Sequence, residues 1–128
     1  MIGKKVLLVD DDIDSLRLNR IIFINAGAQV VTANDGLEGI SKLHSHRPDL
    51  VILDVMMPGG SGFEVCKQIR KISNVPVIML TARSFAIPKE QQEELQISNC
   101  LSKPFSPREL LCNIEDVLYQ REMAAQHN

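Results

Sequence analysis

The segment VLLVDDDID, residues 6–14, joins an apolar run to three consecutive aspartates. Its apolar half is typical of a strand buried inside a sheet. Asp10, Asp11 and Asp12 follow directly, and crowding carboxylates at one point raises their pKa values and costs stability unless a cation or a set of hydrogen-bond donors compensates. We therefore expect a cation or donor groups from outside this strand to lie near its end.

Beyond this segment the chain alternates between short apolar runs and longer helical stretches, as βα units around a parallel sheet do. The strand candidates are residues 5–9, 29–33, 50–53, 77–80 and 99–101. The helix candidates are residues 15–26, 36–45, 62–71 and 89–96, followed by a fifth helix whose start is marked by Ser106, Pro107 and Glu109. Gly27 and the Arg47-Pro48 pair are expected to end the first two helices.

Length and composition fit one globular domain, because 128 residues with 45% hydrophobic side chains can bury an ordinary core. The 14 basic and 16 acidic side chains give no electrostatic footprint for nucleic acid or an anionic membrane. The apolar runs are too short to span a bilayer, and no signal-like segment opens the chain. We expect a soluble, cytoplasmic protein in which Cys66, Cys100 and Cys112 are small buried side chains, without disulfides or a zinc site.

Polar residues follow four of the predicted strands. Because the carboxyl ends of parallel strands share one edge of the sheet, these residues should converge there. They are the three aspartates after the first strand, then Asp54, Thr81 and Lys103. Mg²⁺ would relieve the repulsion among the carboxylates, and a lysine and a hydroxyl beside them suit a phosphoryl group. The edge is therefore interpreted as a phosphoryl acceptor site, where a carboxylate can be the nucleophile.

Four motifs in this order, VDDD, LDVMMPGGSG, MLTAR and LSKPF, resemble the receiver domain of bacterial two-component response regulators. The resemblance extends from about residue 5 to residue 119. It implies a flavodoxin-like α/β fold with a five-stranded parallel sheet of order 2-1-3-4-5 and five helices. We expect residues 1–122 to form the receiver domain and residues 123–128 to be a polar tail or a truncated linker.

The resemblance also implies a role for each site residue. Asp54 would accept the phosphoryl group, Thr81 would bond a phosphoryl oxygen, and Lys103 would pair with the phosphoryl group. The Lys103-Pro104 peptide would be cis. The Mg²⁺ ligands would be Asp10, Asp11, Asp54 and the backbone carbonyl of Met56.

The implied function is a phosphorylation-dependent switch rather than an enzyme, since it would catalyse only its own phosphorylation and dephosphorylation. The phosphoryl donor would be a sensor histidine kinase or a phosphotransfer protein. The output would be a downstream protein target or an effector domain missing from this chain, with no direct nucleic-acid binding by this segment and no membrane contact.

Three features depart from the family pattern. Asp12 is an additional acid, and we hypothesise that Asp12 or Asp14 caps the following helix. Cys100 stands where receivers usually have an aromatic switch residue. The fourth helix, containing KEQQEE, is short and highly charged, and we expect it to be locally unstable.

Three other functions remain open at this point. A haloacid-dehalogenase-like phosphatase would use Asp10 and Asp12 as its D-x-D pair, although Asp14 stands where that family usually has Thr or Val. A flavin-binding module is disfavoured because three aspartates would repel the flavin phosphate. A receiver-like interaction domain that is never phosphorylated would keep the fold without the chemistry.

Overall fold

The described part of the chain folds into five strands alternating with five helices. The computed structural model describes residues 2–55, 62–82 and 87–126. The elements are β1 Lys5–Val9, α1 Ile13–Asn25, β2 Gln29–Ala33, α2 Gly36–His46, β3 Leu50–Asp54, α3 Gly62–Ile72, β4 Val77–Ala82, α4 Lys89–Glu94, β5 Asn99–Lys103 and α5 Pro107–Gln126. All strand pairs are parallel and the order is β2-β1-β3-β4-β5, which confirms the predicted topology.

The burial of each strand follows its position in the sheet. Every residue of β3 is buried, because this central strand is flanked by β1 and β4 and covered on both faces. The edge strands β2 and β5 carry more polar residues and are only partly buried. The apolar runs of the sequence therefore mark the inner strands.

Two apolar cores lie on opposite faces of the sheet. One core packs α1 and α5 against the strands, with Phe23 and Ile114 fully buried. The other core packs α2 and α3 against the strands, with Ile69 of α3 buried. Leu95 and Ile97, which follow α4, belong to the same core. This two-sided packing leaves the carboxyl edge of the sheet to the connecting loops.

Local signals end or begin the helices largely as the sequence predicts. Gly27 follows α1 with φ of 92°, and Arg47 ends α2 in the left-handed region with φ of 47°. The backbone N–H of Glu109 donates to Ser106 Oγ at 3.1 Å, which confirms Ser106 as the N-cap of α5, the first half of the expected capping box.

Some boundaries differ from the sequence-based expectation. Strands β3, β4 and β5 run one or two residues further toward the carboxyl edge, because ladder pairing continues to the register pair Ala82 and Lys103. Helix α5 continues to Gln126, past the expected domain boundary at residue 122, so the assignment of residues 123–128 to a tail or linker stays a prediction. Among the described residues, no helix is long and apolar enough to cross a membrane.

The prediction that all three cysteines are buried was wrong for two of them. Cys66 on α3 is buried, Cys100 on β5 is half-buried, and Cys112 on α5 is exposed. Cys112 follows two apolar residues of α5 in the sequence, but the helix geometry directs its side chain toward solvent.

Replacing Gly62 should destabilise the fold at the end of β3. A Cβ there would lie 2.6 Å from the backbone oxygen of Asp54 and 2.8 Å from Cα of Val55. We expect Gly62→Ala to lower the free energy of unfolding by about 1–3 kcal/mol in urea denaturation, although alanine is the better helix former. Gly39→Ala is the control, because its Cβ would lie 3.1 Å from a side-chain methyl of Val9 and its nearest neighbours are side-chain atoms rather than backbone. Equal losses in the two variants would contradict the close backbone packing of Gly62.

Candidate functional site

The carboxyl ends of β1, β3, β4 and β5 bring four polar side chains together. Asp10, Asp54 and Thr81 are buried, with 4%, 5% and 3% of their surfaces exposed, although each is polar. Lys103 lies at the end of β5 and reaches the same place. Three of these polar groups therefore need hydrogen-bond or ion-pair partners, because burying a charge or a hydroxyl without one destabilises the fold.

Lys103 makes the central ion pair of the site. Its Nζ donates to Asp54 Oδ2 at 2.7 Å and lies 3.9 Å from Asp10 Oδ2. Partial burial lowers the pKa of Lys103, but the hydrogen bond and charge of Asp54, with Asp10 and Asp12, outweigh this and raise the pKa overall. Lys103 is therefore held as a cation against the carboxylates.

Asp10 is only partly compensated. Its Oδ1 accepts a hydrogen bond from the backbone N–H of Asp12 at 3.0 Å, whereas its buried Oδ2 has no hydrogen-bond partner among the residues that the structure describes. Burial, and to a lesser degree the neighbouring charge of Asp54, raises the pKa of Asp10 to about 6. The Oδ2 atom is thus an acceptor in place for a further donor or a cation.

A metal ion would fit among the acidic side chains. Asp10, Asp11 and Asp54 each offer a carboxylate oxygen, and these oxygens lie within 4.8 Å of one another. Two of the three residues are buried, and all the donors are hard oxygens, which suits a hard divalent cation. The predicted fourth ligand, the carbonyl of Met56, lies outside the described residues.

Asp12 has a separate structural role. Its Oδ1 accepts hydrogen bonds from the backbone N–H groups of Asp14 at 3.0 Å and Ser15 at 3.5 Å, and its Oδ2 accepts from the Ser15 hydroxyl at 3.1 Å. The Ser15 hydrogen bonds and that of Asp14 lower the pKa of Asp12. The capping hypothesis is confirmed, with Asp12 rather than Asp14 as the cap of α1.

Ser102 is a neighbour of the site that the sequence did not reveal. It pairs in register with Thr81 across β4 and β5, and the two hydroxyl oxygens are 3.5 Å apart. Its position next to Lys103 in the sequence gave only a weak indication that Ser102 belongs to the site, because the strand register that places it beside Thr81 is set only in the folded sheet. Cys100 packs against the core on the α3 side.

Sequence comparison places this site in a known family. A family model described as "Response regulator receiver domain" matches residues 6–115, which includes every site residue named above. The chain belongs to this receiver family. The receiver is a signalling domain, and the cis Lys103-Pro104 bond implied by the resemblance is present in the structure.

Two curated relatives are response regulators of about twice this length. The receiver is 49% identical over 114 residues to the "Transcriptional regulatory protein CpxR homolog" of Haemophilus influenzae, covering 89% of this chain and 50% of the relative. It is 40% identical over 124 residues to the "Alkaline phosphatase synthesis transcriptional regulatory protein PhoP" of Bacillus subtilis, covering 96% and 52%. The chain thus spans about half the length of these relatives.

Solved structures share the fold. The receiver superposes on chemotaxis protein CheY4 of Vibrio cholerae with a TM-score of 0.83 and 35% identity, covering 90% of this chain and 98% of that one. A receiver domain protein from Clostridium thermocellum gives a TM-score of 0.87 at 25% identity, covering 94% and 98%.

The raised pKa of Asp10 predicts that the ionised form of this carboxylate lowers the stability of the fold, by an amount that depends on pH. The folded protein binds this proton more tightly than the unfolded chain, whose ordinary value is 3.8, so the stability contributed here falls as pH rises from about 4 to about 6. Without divalent cations, Asp10→Asn should therefore raise the free energy of unfolding near pH 7 by roughly 1–3 kcal/mol, and near pH 4 by little.

Urea denaturation at both pH values measures this difference. Asp116→Asn is the matched control, because Asp116 is exposed on α5. A gain for Asp10→Asn that is equal at both pH values, or equal to that of Asp116→Asn, would contradict the assignment of the cost to the buried Asp10 charge.

Proposed function

We propose that this receiver is a magnesium-dependent phosphorylation switch whose acceptor is Asp54. One observation carries the proposal: the buried Asp54 carboxylate is held by the Lys103 ammonium at 2.7 Å, inside a cluster of oxygens suited to a cation. A carboxylate oxygen of Asp54 would attack phosphorus and form an acyl phosphate, while the bond from phosphorus to the donor atom breaks. The leaving group would take that electron pair.

Asp10, Asp11 and Asp54 are the described side chains that would hold Mg²⁺, with the carbonyl of Met56 as a further expected ligand. When bound, Mg²⁺ would offset the negative charge that accumulates as phosphoryl oxygens approach carboxylates. The unpartnered Oδ2 of Asp10 supports this assignment, because a cation would satisfy it. The family pattern gives no other cofactor.

Lys103 and Thr81 would supply the protein's own stabilising groups. Lys103 is already oriented by Asp54 Oδ2, so its ammonium can remain beside the new phosphoryl oxygens with little rearrangement. The hydroxyl of Thr81 is in weak contact with Ser102 at 3.5 Å and could donate to a phosphoryl oxygen instead. That exchange of partners would transmit the state of Asp54 to β4 and the segment that follows.

The proposed donor is a sensor histidine kinase or a phosphotransfer protein, and α1 offers a surface for it. Half of the large exposed apolar side chains in the described residues lie on this helix: Ile13, Leu18, Ile21 and Ile24. Because α1 begins directly after the aspartates, a helical partner packed on this face would bring its phosphohistidine near Asp54.

The output is proposed to be an attached effector domain or a separate protein target. The relatives named as transcriptional regulators are about twice as long as this chain, which supports an attached domain. This segment itself has a net charge of −2, so we propose that it contacts neither nucleic acid nor membrane directly. A cytoplasmic location stays a prediction.

The phosphatase alternative loses its structural support. It requires Asp10 and Asp12 to act together at one site, whereas both carboxylate oxygens of Asp12 are engaged at the start of α1. The hypothesis of an unphosphorylated interaction domain can be tested against our proposal, because it predicts that Asp54 is never covalently modified.

Intact-mass measurement tests the acceptor chemistry. We expect acetyl phosphate with Mg²⁺ to add one phosphoryl group to the wild-type chain, and to add none when Mg²⁺ is chelated or in Asp54→Asn. Asp49→Asn is the control, because Asp49 is an exposed acid at the opposite end of β3. No gain under any condition would favour the unphosphorylated domain, and a gain that persists in Asp54→Asn would refute Asp54 as the acceptor.

A charge placed on the α1 face should separate the protein donor from the small-molecule donor. Ile21→Glu is expected to slow phosphoryl transfer from a phosphorylated histidine protein by about tenfold or more, because it buries a charge in an apolar interface. Transfer from acetyl phosphate should be unchanged. Ile72→Glu on α3 is the control, since Ile72 is an isoleucine of similar exposure on a helix that covers the opposite face of the sheet from α1. Equal slowing by both variants would contradict docking on α1.

A further inference from the structure

Arg70 makes an unusual set of contacts at the end of α3, outside the acceptor motifs of the sequence. Its Nε donates to the carbonyl of Leu95 at 2.8 Å, and its Nη2 donates to that of Gln96 at 3.0 Å. Its Nη1 donates to the carbonyls of Val75 at 2.7 Å and Ser73 at 3.3 Å. One side chain therefore joins the segment between α3 and β4 to the C-terminal end of α4.

The helix that Arg70 holds has little else to stabilise it. Helix α4 has six residues, none of them buried, and no side-chain hydrogen bond from the described residues caps its N-terminus. A helix this short is unstable by itself in water. Its described attachments to the apolar core are Ile87 before the helix and Leu95 and Ile97 after it.

The C-terminal end of α4 is also strained. Gln96 has φ of 53°, in the left-handed region that favours glycine. This conformation lets the backbone N–H of Ile97 donate to the carbonyl of Gln92 at 2.9 Å and that of Gln96 to Glu93 at 3.2 Å. Such a cap on a side-chain-bearing residue persists only if the surroundings hold it, and Arg70 bonds the carbonyl of this same residue.

Charge explains why an arginine suits this position. The carbonyls at the C-terminal ends of α3 and α4 present partial negative charge, and the guanidinium lies against both groups. No carboxylate among the described residues lies within ion-pair distance of Arg70. Burial lowers the pKa of Arg70, but a guanidinium remains charged at neutral pH. The cation is thus committed to backbone oxygens rather than to an acid.

We propose that Arg70 is the anchor that fixes the C-terminal end of α4 to α3, and that it makes this end the pivot for switching. A change at Thr81 would then reorient the N-terminal part of α4 while Leu95 and Gln96 stay in place. The pivot rests on the proposed phosphorylation of Asp54, whereas the anchor belongs to the unmodified protein.

Hydrogen exchange followed by mass spectrometry tests the anchor in the unmodified chain. We expect Arg70→Met to speed exchange of the amides of residues 95–97 about tenfold, because hydrogen bonds to a charged donor are lost. Peptides from α1 and α5 should exchange as in the wild type. Lys71→Met is the matched control, since Lys71 is an exposed cation next to Arg70 on the same helix.

Arg70→Lys is the second variant, because it keeps the charge with fewer donors. We expect a smaller rise, still confined to residues 95–97, and this variant decides the question if Arg70→Met fails to fold. A rise spread evenly over all peptides, no rise at residues 95–97, or the same rise in Lys71→Met would overturn the anchor.

Exchange in the phosphorylated wild type tests the pivot. With phosphorylation verified by intact mass, we expect altered exchange in residues 89–92 and unchanged exchange in residues 95–97, and in Arg70→Lys the change should extend through residue 97. Altered exchange at residues 95–97 of the wild type would overturn the pivot. If no phosphoryl group is gained, the pivot falls with the proposed function, and the anchor is judged on the unmodified variants.

Discussion

The structure depends on holding two carboxylates, Asp10 and Asp54, side by side at the buried edge of a parallel sheet. Parallel pairing of β1 with β3 directs both strand ends to the same edge, so the chain cannot bury its central strands without bringing these acids together. Lys103 offsets part of the repulsion through its ion pair with Asp54. Burial is the main cause of the raised pKa of Asp10, and its Oδ2, which has no hydrogen-bond partner among the described residues, accounts for the fit of a cation.

The three consecutive aspartates show how one residue type is used in three environments. Asp10 is buried and its pKa is raised, whereas Asp12 is solvated, bonded to the first turn of α1, and has a lowered pKa. Asp11 is exposed and turns one oxygen toward the cluster. The change from strand to helix within three residues separates them, because each step rotates the next side chain to a different side of the backbone.

Two cations, Lys103 and Arg70, bind different kinds of oxygen at two places in the fold. Lys103 faces carboxylates, and in the proposed function its ammonium would stabilise the phosphoryl group, while Arg70 faces backbone carbonyls and is proposed to anchor α4. The distinction matches the side chains: a compact ammonium suits one charged oxygen site, and the planar guanidinium serves several fixed acceptors at once. Helix α4 lies in the chain between Thr81 and the Arg70 contacts, so in the proposed switch it would respond at one end and remain attached at the other.

The sequence by itself determined the element order, the sheet topology implied by the family resemblance, and the strand-end location of Asp10, Asp54, Thr81 and Lys103. These features follow from apolar periodicity and from motifs, which are local. It did not reveal the contact between Ser102 and Thr81, because that depends on the register between two strands. It gave no sign of the Arg70 contacts, because Arg70 and Gln96 are 26 positions apart and meet through backbone carbonyls that every residue possesses. The exposure of Cys112 was also decided by the tertiary structure, since it depends on which face of α5 packs against the sheet, whereas the cap formed by Asp12 is a local interaction with the first turn of α1.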